Sequence, residues 1–157
     1  MKSVKYTRIR AGLCRPLLAG AGAVALLVAP SLAAAACNFQ MSATPLIRQV
    51  VKANGGTPMS DAQCAKLTKN NLRLHMNGEA TVLAGVSVGW AIVTVSDKKT
   101  NLVSTEVSLN TVVNAKSASI DTAEKLLYSA LENAIRDLDI DKANNALKVL
   151  AQDSRKR

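Results

Sequence analysis

Aromatic side chains make up only 3% of this chain, and Trp90 is its single tryptophan. A surface that reads nucleic acid is expected to cluster its basic charge and to interleave it with aromatics. Here the lysines and arginines are scattered, so no nucleic-acid partner is expected. Histidine is scarcer still: His75 is alone, and no second ligand stands at metal-binding spacing from it, so no metal or cofactor is expected. The third shortage is local, since the first 36 residues contain no Asp or Glu.

Those 36 residues carry Lys2, Lys5, Arg8, Arg10 and Arg15, then the apolar run 17–28, then Pro30 and a small-residue end at Ala33-Ala34-Ala35-Ala36. A basic start, a short apolar core and an Ala-x-Ala end define a secretory signal peptide. The core falls short of the roughly 20 apolar residues that span a bilayer. No Arg-Arg pair occurs, which points to the general secretory route. Cleavage near Ala36 is therefore expected, with the mature protein in the periplasm or secreted. It would leave 15 basic against 11 acidic residues, a net +4 in place of the +9 of the whole chain.

Cysteine usage changes with the same cut. Cys14 leaves with the signal, and the mature chain keeps Cys37 and Cys64. In an oxidising compartment an even pair favours a disulfide, worth about 3.5 kcal/mol on the chain-entropy view. A second reading makes Cys37 the acylated first residue of a lipoprotein, which would bring the membrane in as a partner. Such signals place a branched apolar residue three positions earlier, where this chain has Ala34. Lipidation would also leave Cys64 as an odd thiol.

Beyond the signal, residues 37–152 fit one domain, followed by a basic tail at 153–157. After an irregular start at 37–43, Thr44-Pro45 opens a helix with Leu46, Ile47, Val50 and Val51 on one face, closed by Asn54-Gly55-Gly56. Ser60 and Gln63 form a capping box for a second helix with Ala62, Ala65 and Leu67 as packing residues. From Asn71 the apolar period becomes two, and Asn77-Gly78 reads as a hairpin turn. A long strand over 81–95 follows, then a polar turn at 97–101 and a last strand over 102–116. In that strand Val103, Val107, Leu109 and Val113 face one side and Ser104, Glu106, Ser108, Asn110 and Asn114 the other, which reads as the wet side. Asp121-Thr122-Ala123-Glu124 reads as a capping box opening a helix with an apolar stripe from Ala123 to Leu138, and Asp141 as the cap of a final helix. The sum is an α+β domain: a three-stranded antiparallel meander packed with N-terminal and C-terminal helices.

Two patterns resemble functional motifs. Gly85-Val86-Ser87-Val88-Gly89 matches the Gly-x-Ser-x-Gly of serine hydrolases, with His75 as the only available base. That chemistry needs the serine on a sharp strand-to-helix turn, whereas here the motif sits inside a strand running on through Trp90. Asp137, Asp139 and Asp141 resemble the start of a calcium loop, but Lys142 and Lys148 stand where such a loop needs glycine and glutamate.

The other reading of Gly85, Ser87, Gly89 and Ala91 is a flattened sheet face that lets a helix or another backbone come close. Val82, Val86, Val88, Trp90 and Ile92 lie on the opposite face, and residues 80–96 carry no charge, so both sides are expected to be covered. Gly85, Ser87, Gly89, Ala91 and Trp90 are then the candidate interaction surface, open to self-association wherever the strand stays uncovered. The sequence thus points to a small non-enzymatic accessory module of the bacterial envelope, acting through contacts with an unidentified envelope or secreted protein.

Overall fold

Eight elements succeed one another in a computed structural model that describes residues 38–156, all within the unit Ala35–Arg157. They are β1 (Gln40–Ala43), α1 (Pro45–Ala53), α2 (Asp61–Lys69), β2 (Leu72–Leu83), β3 (Val86–Asp97), β4 (Val103–Asn114), α3 (Ile120–Asp137) and α4 (Ile140–Ser154). Residues 1–36, where a signal peptide is expected, Cys37 and Arg157 lie outside the described residues. The fold is α+β, with a four-stranded mixed sheet in the order β1-β2-β3-β4.

The meander accounts for three of those strands, and the fourth comes from the segment expected to be irregular. β1 runs parallel to β2, with Gln40 opposite Arg73 and Ala43 opposite Met76. Parallel neighbours need a crossover of a dozen or more residues. Helices α1 and α2 are that crossover, so the two N-terminal helices carry the chain back to the same end of the sheet.

The β2–β3 hairpin turns at Ala84-Gly85 and not at Asn77-Gly78. Both turn residues have positive φ, 47° and 80°, as a two-residue hairpin loop with the natural twist of its strands requires. Asn77 and Gly78 lie inside β2, opposite Ile92 and Ala91. Gly78 is used for closeness: an added Cβ would stand 2.8 Å from Leu127 Cδ1 and 2.4 Å from the Trp90 carbonyl oxygen. Moving the turn also places Val82 on β2, opposite Ser87, at the margin of the helix-covered face.

All four helices pack on one face of the sheet, around one core that runs from Ile47, Val50 and Leu67 through Leu72, Leu74, Val93 and Val95 to Leu127, Leu131 and Ile135. Helix α3 lies across β2, β3 and β4. Its apolar stripe, Ala123, Leu127, Ala130, Leu131, Ala134 and Ile135, is buried as its spacing requires. The floor beneath is built from small residues: Gly78 pairs with Ala91 and Ala80 with Gly89 across β2 and β3. At Gly89 the approach is closest, because an added Cβ would overlap the backbone of Leu126 and Leu127.

Thr44 stands at the N-cap of α1 but makes no side-chain cap hydrogen bond, whereas the other three helices are capped by side chains, one at the expected residue and two at shifted ones. Ser60 and Gln63 form both bonds of a capping box. Ser119, two residues before the expected Asp121, caps α3 by accepting from the Thr122 N–H, and Asp139 in place of Asp141 caps α4 by accepting from the Lys142 N–H. Helix α2 buries Cys64 and Leu67, leaving Ala62 and Ala65 exposed. Helix α4 continues to Ser154, so the expected tail at 153–157 begins inside it.

Candidate functional site

Strand β4 is inside out relative to its hydrophobic pattern. Ser104, Glu106, Ser108, Asn110 and Asn114 point toward the helices, and Val103, Val107, Leu109 and Val113 are 51, 54, 64 and 57% exposed on the other side. The expected wet side is thus the packed side. Register dictates the inversion. Because Gly89 and Ala91 must lie under α3, their partners Val112 and Asn110 lie under it as well, and Leu109 follows Ile92 to the opposite face.

Three side chains of the inward polar row are met by the helices. Ser104 Oγ donates to the Ala143 carbonyl at 3.1 Å, Asn133 Nδ2 donates to Asn110 Oδ1 at 3.3 Å, and Lys142 pairs with Glu106 at 2.8 Å. The Glu106 carboxylate holds the Lys142 ammonium above its ordinary pKa.

The uncovered face presents three outward rows. From β4 come Val103, Thr105, Val107, Leu109, Thr111 and Val113, and from β3 come Val86, Val88, Trp90, Ile92 and Thr94. None of those eleven side chains is charged. From β2 come Arg73, His75, Asn77 and Glu79. A depression of about 350 Å³ opens on this face beside β1, lined by Ser42, His75, Asn77, Ile92, Thr94 and Val107.

His75 Nε2 lies 2.7 Å from Ser96 Oγ. Partial burial, helped by the Arg73 guanidinium, holds its pKa below the ordinary 6.5. A depressed histidine pKa means that the unfolded chain binds the extra proton more readily. Its contribution to stability is therefore complete above pH 6.5 and is lost as pH falls through the lower folded-state value. Urea unfolding across that window is expected to show a slope that His75→Gln reduces.

The expected interaction surface divides between two faces. Ser87, Gly89 and Ala91 are fully buried beneath α3, so the small-residue side is the helix seat and is not available to a partner. Gly85 sits in the β2–β3 turn. Trp90 alone of the five lies on the open face, opposite Glu79 and Thr111. The expectation that the strand is covered on both sides is thereby corrected to one side.

Ser87 is an anchor. Its Oγ lies 2.6 Å from the Ser117 carbonyl and 3.0 Å from that of Ser119, and it accepts from the Ser119 N–H at 3.0 Å. These bonds tie the β4–α3 connection to the sheet. His75 is on the opposite face, so the sheet itself separates the two groups that a hydrolase would need together. Ser87→Ala is expected to cost about 2 kcal/mol in urea unfolding, since it removes three hydrogen bonds and leaves the part-buried Ser119 N–H without its acceptor. A nucleophile role would appear instead as lost activity at unchanged stability.

The three aspartates of the calcium-like pattern are occupied separately. Asp137 pairs with Arg136, Asp139 caps α4, and Asp141 pairs with Lys66 at 2.6 Å. Among the described residues no three His, Cys, Asp or Glu side chains gather as a metal-ligand set, and no helix is long and apolar enough to cross a membrane. A scan against protein-family models matched none, and a search of curated proteins gave no match.

Proposed function

We propose that this chain is an exported, non-enzymatic binding module of the cell envelope whose working surface is the open face of its sheet. The observation that carries this reading is the outward row of β4, four large apolar side chains each more than half exposed beside Trp90 and Ile92. Contiguous apolar surface of this kind marks an interaction site. In the proposal the signal at 1–36 delivers the domain across the inner membrane, and Cys37 then pairs with Cys64, which is buried on α2. Contacts with another protein on the open face replace water there.

Site-specific photo-crosslinking in intact cells tests the surface. A crosslinker at Leu109 should capture a protein in the envelope fraction, and one at Glu132, exposed on α3 away from that face, should not. Equal capture at both positions, or none at Leu109, overturns the reading. The intact mass of the exported protein tests the processing: cleavage after Ala36 with the loss of two hydrogens supports the disulfide, and a diacylglycerol adduct on Cys37 makes the protein a lipoprotein.

A further inference from the structure

We infer that the open face packs against the same face of a second copy of this chain, with strands antiparallel across the interface, so that Arg73 of each copy meets Glu79 of the other. The inference rests on the open face being the working surface, and it names the partner.

Size is the first argument. Strands β2, β3 and β4 each hold 12 residues, which gives a face of roughly 40 by 14 Å before side-chain relief is counted. Standard interfaces bury about 800 Å² on each partner, so one copy of this face is of the right scale. A second flat sheet is also the shape that fits it, because sheets pack face to face with strands aligned within about 30°.

Charge is the second argument. Across β3 and β4 the outward positions are uncharged, a composition typical of interfaces between identical subunits and poorer in charge than transient ones. The two outward charges on β2, Arg73 and Glu79, are opposite in sign and lie six residues apart, about 20 Å. Neither belongs to an ion pair among the described residues. A two-fold axis lying in the interface, perpendicular to the strands and crossing β2 near Met76, exchanges the two positions. The arrangement then makes two identical ion pairs on the β2 side, places Ile92 near the centre, and sets Leu109 beside the axis on the opposite margin, facing its own copy. An isologous interface requires such self-complementarity.

The test uses the protein expressed from its full sequence and purified as the cell processes it. Sedimentation should show a concentration-dependent dimer, and Trp90 emission should shift to the blue as the dimer forms. Leu109→Arg should abolish both effects while leaving the circular dichroism spectrum unchanged. Arg73→Glu and Glu79→Arg should each weaken association by about tenfold or more through like-charge contact. The double variant Arg73→Glu/Glu79→Arg, which restores opposite charges across the two-fold axis, should recover it. A wild-type chain that remains monomeric at its highest soluble concentration overturns the proposal, as does a dimer that survives Leu109→Arg or a double variant as weak as the singles. A monomer whose Leu109 crosslinker still captures another protein in cells sinks the second copy and leaves the binding-module reading intact. Loss of capture as well removes both.

Discussion

Gly89→Val is expected to lose more than about 3 kcal/mol of stability, a large share of what a domain of this size possesses. The side chain would have no space to relax into. Even a single Cβ at this position would stand 2.1 Å from the Leu127 amide nitrogen and 2.4 Å from the Leu126 carbonyl carbon. Both are backbone atoms of α3, so the whole helix must lift from the sheet. That separation would disturb contacts from Ala123 to Ile135 together. Urea unfolding measures the loss, and Gly55→Ala provides the comparison. Gly55 has φ of +84° and nothing within 4 Å of an added Cβ, so its substitution carries only a backbone cost of about 1 kcal/mol.

Leu127→Ala approaches the same contact from the helix side and is expected to cost about 3 kcal/mol. Leu127 is fully buried, and its Cδ1 fills the space over Gly78. The floor beneath it consists of backbone and small side chains, which cannot collapse into the vacated volume. A site that relaxes poorly lies toward the costly end of leucine truncations. Leu46→Ala, at a half-buried position on α1, should cost clearly less in the same experiment.

These two residues also show which parts of the structure were legible in the sequence. The helical stripe of α3 could be read residue by residue, because six buried positions repeat at helical spacing over 18 residues. The role of Gly89 and Ala91 as a close-approach surface could be read too, from alternate small residues in an uncharged strand. β1 could not: four residues, Gln-Met-Ser-Ala, carry no period, and their strand conformation comes from pairing with β2. Asn77-Gly78 misled because the glycine serves packing, whereas Ala84-Gly85 turns with weaker local chemistry.

The candidate site was hidden for a different reason. Taken alone, β4 assigns its valines and Leu109 to the core and its serines and asparagines to water. Pairing overrules that assignment. Ala91 faces the helix, Ala91 pairs with Asn110, and strict alternation then turns Leu109 outward. The small-residue face and the alternation were available in the sequence, but the pairing of Ala91 with Asn110 that joins them was not. The helix partners of the polar row, Asn133, Lys142 and the Ala143 carbonyl, are likewise brought together only by the fold.

A lysine scan along β4, with urea midpoints measured at a concentration where the chain is monomeric, tests the inside-out strand most directly. Lysine at Val107, Leu109 or Val113 is expected to change stability by less than about 1 kcal/mol, as at exposed positions. Lysine at Ser104 or Asn110 should cost about 2 kcal/mol or more, because it forces an unpaired charge under α3 and α4. The reverse phase, costly at 107, 109 and 113 and tolerated at 104 and 110, would place the apolar row in the core and contradict the open face.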